Sequence, residues 1–145
     1  MQLKTLALAA ATVTFGAAAL AHADVANPVV KERMALMGEI RTNFATLGGM
    51  VQGKTAFEAA TAAEAKAALA AAAAMIPAKF EANETDPESE AAPAIWDDWE
   101  GFTADAADFE AAVAALDTAS LESVQAGFRP IGGSCGACHQ AYRVD

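Results

Sequence analysis

The chain has 145 residues, 41 of them alanine, and its 19 acidic residues outnumber its 9 lysines and arginines to give a formal net charge of −10. This charge argues against nucleic acid as a partner, because few cations are present to replace the counterions of phosphate. Abundant Ala, Glu and Leu with few Thr, Val and Ile disfavour a sheet protein, and 5 Pro and 10 Gly are too few for a disordered chain. The composition therefore predicts one mostly helical domain.

Residues 1–23 have the features of a signal peptide. Lys4 supplies a positive charge, residues 6–20 are almost wholly apolar, and Ala21-His22-Ala23 has the small-x-small pattern of a cleavage site. The alternative is a membrane anchor, but the apolar run is shorter than the roughly 20 residues that span a bilayer. We predict cleavage after Ala23, so that the mature domain spans residues 24–145 and has a charge one unit more negative than the whole chain.

The first predicted helix begins at Asn27-Pro28, an N-cap residue followed by proline at the first helical position. Apolar residues follow at intervals of three or four and therefore share one face: Val30, Met34, Met37, Ile40, Phe44, Leu47 and Val51. We expect this helix to end near Gly53.

The second predicted helix is built mainly from alanine. Thr61 and Glu64 have the spacing of a capping box that would open it, and Pro77 would stop it. Alanine favours the helix but supplies little bulk, so this helix can approach a neighbour closely, in the same molecule or in another copy. Residues 81–92 combine charge and proline without large apolar groups and are predicted to form a solvated loop.

Two further helices complete the predicted domain. Pro93 can occupy the first turn of a third helix, whose apolar residues from Trp96 to Leu116 keep helical spacing. Ser120 can cap a fourth helix, with Pro130 as a kink inside it. Four amphipathic helices with short connections predict an all-α, antiparallel four-helix bundle, and most aromatic and methionine side chains on the apolar faces are interpreted as core.

Cys135, Cys138 and His139 form a C-x-x-C-H motif. On a helix, residues three and four apart share a face, so both thiols and the imidazole project to the same side. Two thiols there can bond the two vinyl groups of a haem, and His139 can ligate the iron from the proximal side. Signal-peptide cleavage would remove His22, which leaves these three residues as the only Cys and His of the mature chain.

Three other interpretations of the motif are weaker. A disulfide between Cys135 and Cys138 would close a very small loop and stabilise little. A thioredoxin-like redox pair needs a βαβ context, which the helical pattern lacks. A structural zinc site needs four protein ligands, and the mature chain has two Cys and one His. None of the three accounts for His139 beside the second cysteine.

With this motif near the C-terminus of a helical bundle, the sequence resembles the class II cytochromes c, which comprise cytochrome c′ and the low-spin cytochrome c-556 and c-554 group. The resemblance covers the whole mature chain, and its most specific stretches are residues 33–47, 95–96, 128–132 and 138–143. It implies one covalently attached haem inside the bundle, between the first and fourth helices. Cys135, Cys138 and His139 match the attachment and proximal residues.

The resemblance also bears on the sixth ligand position of the iron. Met37 falls where low-spin members place an axial methionine and where cytochrome c′ proteins place a bulky residue that is not a ligand. Methionine ligation favours ferrous haem and supports electron transfer, whereas an open position would admit a small uncharged gas. Met34, one helical turn earlier, is the competing ligand, and ordinary core packing is the alternative for both residues.

Charged residues near the predicted site have more than one interpretation. The resemblance implies that Arg33 and Arg143 contact haem propionates or flank the proximal imidazole, and an interpretation as solvated helix-end cations has equal weight. Glu39 and Arg41 lie near Met37, but their spacing is interpreted as pointing them away from its helix face. Since the mature chain has no second histidine to act as a distal acid or base, we expect no enzymatic activity.

The sequence therefore predicts a periplasmic, monohaem electron carrier with no membrane anchor and with His139 and Met37 as axial ligands. The alternative is a five-coordinate cytochrome c′ that binds nitric oxide or carbon monoxide. The acidic charge predicts redox protein partners with basic docking patches, and association that slows as salt rises. Relatives in the resembled family pair through their first two helices, and the alanine-rich second helix would permit a homodimer here.

Overall fold

The computed structural model describes residues 25–144, so the predicted signal peptide lies outside the described residues. We number its helices in chain order as α1 Pro28–Val51, α2 Ala59–Phe80, α3 Ala94–Asp97, α4 Trp99–Ala115 and α5 Leu121–Tyr142. The long helices α1, α2, α4 and α5 form the predicted antiparallel four-helix bundle. In this bundle α1 packs against α2 and α5, and α4 packs against the same two helices.

The prediction for α1 is confirmed at both ends. The Asn27 side chain accepts hydrogen bonds from the backbone N–H groups of Val29 and Val30, at 2.8 and 3.2 Å. Pro28 occupies the first turn, where its missing N–H costs nothing. After Val51, Gly53 has a φ of 68°, a left-handed conformation that glycine adopts without strain and that ends the helix.

The prediction for α2 is wrong at both ends. The helix begins at Ala59 rather than at Thr61, and the predicted capping box is not the N-terminus, because Glu58 holds the N-cap position without a side-chain capping bond. The helix also continues past Pro77 to Phe80. Phe80 is buried, so packing of the last turn offsets the single intrahelical hydrogen bond that proline removes.

By length and composition alone, α2 is apolar enough to cross a membrane. Core helices of soluble proteins pass the same test. In this bundle, one face of α2 packs into the core through Ala62, Leu69 and Ile76, all of which are buried. This burial identifies α2 as a core helix of the bundle.

The third predicted helix is divided into α3 and α4. Asp98 has a non-helical backbone conformation, with φ −129° and ψ 60°, and its carboxylate accepts a hydrogen bond from the Gly101 N–H at 3.1 Å. Asp98 is therefore the N-cap of α4. An aspartate side chain that competes for backbone N–H groups interrupts a helix in this way, although the apolar spacing runs on across the break.

The prediction for α5 is confirmed at its start. Ser120 is the N-cap, and its hydroxyl accepts from the Ser123 N–H at 3.1 Å in a reciprocal capping box. Pro130 lies inside the helix, which continues to Tyr142. Ile131, beside the proline, is fully buried, so the segment before the haem motif is anchored in the core.

Candidate functional site

A cavity of about 500 Å³ lies between α1 and α5. The end of α2, residues 88–91 and one face of α4 complete its wall, and its lining is mainly apolar. The volume falls within the roughly 300–1,000 Å³ of sites that bind small molecules and cofactors. The cavity therefore provides room at the haem position that the resemblance implies, between the first and last long helices of the bundle.

The three residues of the C-x-x-C-H motif all line this cavity. Cys135 and Cys138 are free thiols, half-buried on α5, and do not form a disulfide. Burial raises the pKa of Cys135, and burial with the nearby Asp105 carboxylate raises the pKa of Cys138 to about 11. Both thiols are therefore protonated at neutral pH.

His139 lines the cavity and is also exposed to solvent. Desolvation of the ring and the nearby Arg143 cation lower the pKa of His139, against the opposing effect of Glu90. A lowered pKa keeps the imidazole neutral at pH 7, and the neutral imidazole is the form that binds metal.

Met37 and Met34 both line the cavity from α1, but they differ in burial. Met37 is half-buried and packs against the core, whereas Met34 is 40% exposed. A side chain held by core contacts loses less conformational freedom when it engages a ligand. The structure thus places Met37 better than Met34 for a role inside the cavity.

Arg33 lines the same cavity and is only 2% exposed, which excludes its interpretation as a solvated helix-end cation. Its Nε donates to the carbonyl of Lys79 at 2.9 Å, one Nη donates to the carbonyl of Glu84 at 2.8 Å, and the other donates to the carbonyl of Ala82. Burial lowers the pKa of Arg33, but a guanidinium with an ordinary pKa of roughly 12 or more stays protonated.

Two aromatic rings complete the surroundings of the Arg33 guanidinium. Its central carbon lies 5.3 Å from the ring centroid of Phe80 and 5.1 Å from that of Trp96, within the distance for cation–π interaction. The guanidinium therefore joins α1 to the end of α2 and to the loop at residues 81–92.

Arg143 follows the last turn of α5 and also lines the cavity. Its Nε lies 2.7 Å from a carboxylate oxygen of Glu90, in an ion pair that is about half exposed. Backbone hydrogen bonds of 2.9 Å run beside this pair, from Ala92 N–H to the Tyr142 carbonyl and from Val144 N–H to the Glu90 carbonyl. The end of α5 is thus fastened to the 81–92 loop next to His139.

Two cavity residues were missed by sequence analysis. Arg41 lines the cavity, contrary to the prediction that its spacing points it away. The spacing could have predicted this placement, because Arg41 is four residues after Met37 and both side chains therefore lie on one side of α1. Asp105, which sequence analysis did not single out, also lines the cavity from α4.

Comparison with known proteins decides the family. The family model described as Cytochrome C′ matches residues 28–143. The chain belongs to the cytochrome c′ family. This result confirms the class II cytochrome c resemblance, the four-helix bundle and the single covalently attached c-type haem. The chain is therefore a haem protein of the kind that transfers electrons or binds gases.

Individual relatives come from both branches of this class. The chain is 34% identical to cytochrome c-554 of Cereibacter sphaeroides, over 79% of the chain and 92% of the relative. It is 32% identical to cytochrome c-556 of Agrobacterium fabrum, over 99% of the chain and 97% of the relative. A solved cytochrome c′ from Rhodobacter spheriodes superposes with a TM-score of 0.74 at 31% identity, covering 81% of the chain and 95% of that structure.

The residues of this cavity fit a c-type haem. The lining is mainly apolar, as a tetrapyrrole requires, and two free, protonated thiols with the spacing of the C-x-x-C-H motif stand at one wall. An imidazole of lowered pKa follows them on the same helix. Bound there, haem would supply an iron that gains and loses one electron.

Proposed function

We propose that this protein is a periplasmic electron carrier in which Cys135 and Cys138 bond the haem, His139 ligates its iron from α5 and Met37 ligates it from α1. The single observation that carries this proposal is the placement of Met37 and His139 on different helices around one apolar cavity. Retained ligation by both residues in each oxidation state would keep structural change small during electron transfer.

The half-burial of Met37 supports its selection over Met34. The Met37 side chain packs against core residues, while Met34 is among the most exposed large apolar side chains of the described region. A thioether is a weak ligand, so its bond to iron benefits from a side chain that the fold already holds in place. The c-554 and c-556 names of two relatives agree with this assignment by analogy.

The second candidate is a five-coordinate protein that binds a small gas. In this alternative, Met37 only covers the open side of the iron. Structural neighbours favour it, because one solved relative from Alcaligenes xylosoxidans is a nitric oxide complex of a cytochrome c prime variant, with a TM-score of 0.72 at 28% identity. Another variant of that protein was solved with carbon monoxide bound.

Absorption spectra of the purified holoprotein test the two candidates. The electron-carrier proposal expects low-spin spectra in both oxidation states, with a thioether-to-iron charge-transfer band in the ferric protein. Met37→Ala should abolish this band and open the ferrous protein to carbon monoxide, whereas the matched control Met34→Ala should retain the band. A wild-type protein that is high-spin when reduced and binds carbon monoxide readily would support the gas-binding candidate instead.

Export and partner choice are parts of the same proposal. We infer that residues 1–23 direct the chain to the periplasm and are then removed, so the N-terminal sequence of the mature holoprotein should begin at Asp24. We infer redox partners with basic patches, because the mature chain is strongly acidic. Electron-exchange rates with a basic partner should fall as ionic strength rises, and rates that do not change with salt would contradict this part.

A further inference from the structure

We propose that one contact between α1 and α5 holds the two helices at the separation that positions Met37 against the haem iron. Four residues form this Phe–Gly contact: Phe44 and Gly48 of α1, and Phe128 and Gly132 of α5. The inference rests on the proposed function, because it takes haem to occupy the cavity with Met37 facing its iron. It goes further by assigning a positioning role to residues that are not themselves ligands.

The two phenylalanine rings of the Phe–Gly contact are stacked on each other between the helices. The ring centroids of Phe44 and Phe128 are 4.2 Å apart, and the two ring planes differ by 2°. Both side chains are half-buried and pack against the core. Because each ring lies against the other, neither can turn aside without losing the stacking interaction.

Each ring also reaches a glycine on the opposite helix. A Cβ at Gly48 would lie 3.1 Å from Cζ of Phe128, and a Cβ at Gly132 would lie 3.4 Å from Cζ of Phe44. Cζ is the far end of a phenylalanine side chain, so each ring spans the gap between the helices and ends against the opposite backbone. Glycine permits this close approach because it has no Cβ. The contact therefore limits how closely α1 and α5 can approach each other.

The Phe–Gly contact lies at the edge of the haem cavity. Phe44 and Gly132 line the cavity, whereas the other two members do not. Phe44 is seven residues after Met37 on α1. Phe128 is seven residues before Cys135 on α5. Seven residues are two helical turns, about 10 Å along a helix axis, and residues at this spacing share a helix face. A change of helix separation at the contact therefore moves Met37 relative to the wall that carries Cys135.

The other end of the site has its own connection between the two helices. Arg33 of α1 donates hydrogen bonds to carbonyls of the 81–92 loop, and Arg143 at the end of α5 pairs with Glu90 of the same loop. Met37 lies between Arg33 and Phe44 along α1, so it is held between a connection on each side. The Phe–Gly contact is the one of the two that joins α1 and α5 directly.

Stopped-flow mixing of the ferrous holoprotein with carbon monoxide tests the proposal. Met37 stands between the iron and an entering gas whether it ligates the iron or only covers it, so the association rate reports its position in both cases. Gly48→Ala places a Cβ against the Phe128 ring, which must give by a few tenths of an ångström. Since stacking restrains that ring, we expect the helices to separate and the rate to rise by about threefold or more.

A second substitution shows whether the effect comes from this contact. Phe128→Leu removes the end of the ring that Gly48→Ala would meet, and by itself it should also raise the rate. Adding Gly48→Ala to Phe128→Leu should then change the rate by less than about 1.5-fold, because the two side chains no longer touch. Urea unfolding measures the same coupling without the gas. Gly48→Ala should raise the denaturation midpoint more in the Phe128→Leu background than in the wild-type background.

Two control variants separate positioning from stability. Gly133→Ala makes the same substitution on α5 at a site where a Cβ would meet nothing within 4 Å. Val113→Ala removes bulk from a fully buried residue of α4, so it should lower the denaturation midpoint without changing the Phe–Gly contact. Both controls should keep the association rate within about 1.5-fold of the wild-type rate.

The proposal is overturned if the rate does not rise in Gly48→Ala and Phe128→Leu, if it rises as much in Val113→Ala, or if Gly48→Ala has the same effect with and without the Phe128 ring. Failure of the proposed function has a different signature. A colourless wild-type protein would refute haem attachment and this positioning role together. A coloured wild-type protein without the charge-transfer band would refute Met37 ligation, and the association rates would still decide the role of the Phe–Gly contact.

Discussion

Replacement by alanine should change the stability of the protein in opposite directions at two glycines on different helices. Gly101 lies in the first turn of α4, where a Cβ would overlap both the Asp98 carboxylate and the Tyr142 hydroxyl. Gly133 lies in the interior of α5, where a Cβ would meet nothing within 4 Å. Gly133→Ala should therefore stabilise the protein by about 0.5–1 kcal/mol, because alanine costs less conformational entropy than glycine in a helix.

At position 101, the same gain in helix propensity is outweighed by steric overlap. Tyr142 donates a hydrogen bond to Asp98 at 2.8 Å, and this contact fastens the end of α5 to the start of α4. Overpacking a filled site costs about 1–3 kcal/mol. We expect Gly101→Ala to lower the free energy of unfolding by about 1–2 kcal/mol after the gain in propensity.

Urea denaturation followed by far-ultraviolet circular dichroism measures both glycine variants. The denaturation midpoint should fall for Gly101→Ala and rise for Gly133→Ala, with unchanged slopes. Wild-type stability or better in Gly101→Ala would mean that Tyr142 and Asp98 do not crowd this glycine. Destabilisation in Gly133→Ala would mean that the surface of α5 there is not open.

Two further predictions concern the end and the middle of α5. The hydrogen bond to Asp98 and then burial raise the pKa of Tyr142 to about 12. The neutral phenol therefore stabilises the fold below the unfolded pKa near 10, and this stabilisation is lost as the pH rises through about 12. An ultraviolet absorbance titration with its tyrosinate midpoint near 10 would contradict this prediction. Ile131→Ala should cost about 2–5 kcal/mol because Ile131 is fully buried, while Met75→Ala, at a residue 44% exposed, should stay within about 0.5 kcal/mol in the same urea assay.

Apolar periodicity predicted the long helices well but could not fix their ends. The continuation of α2 past Pro77 depends on the burial of Phe80, which no local pattern reports, and the start of α2 at Ala59 is marked by no side-chain cap. The break at Asp98 depends on one carboxylate taking a backbone N–H, and the apolar spacing on either side masks it. Terminal positions are decided by individual caps and tertiary contacts, so periodicity finds helices more reliably than it finds their limits.

The proximal side of the site was predictable because it is local in sequence. Cys135, Cys138 and His139 lie within two helical turns, and a helix brings them to one cavity wall whatever the rest of the chain does. Arg41 could have been found by the same reasoning, since four residues separate it from Met37. The surroundings of Arg33 could not have been predicted from the sequence. Its hydrogen-bond partners lie 46 to 51 positions away and are backbone carbonyls, which have no signature in sequence.

The 81–92 loop has a larger role than its composition predicts. Its acids and proline indicate a solvated connection, yet Arg33 of α1 binds carbonyls at one end, and at the other end Glu90 pairs with Arg143 beyond α5. The loop therefore ties the helix that carries Met37 to the helix that carries His139. Under the proposed ligation by His139 and Met37, the two helices would hold one iron between them and would need a fixed separation, and α1 and α5 stand at opposite ends of the described chain. A polar loop anchored to both helices limits their separation at the level of the cavity without placing a bulky side chain in the space that the haem needs.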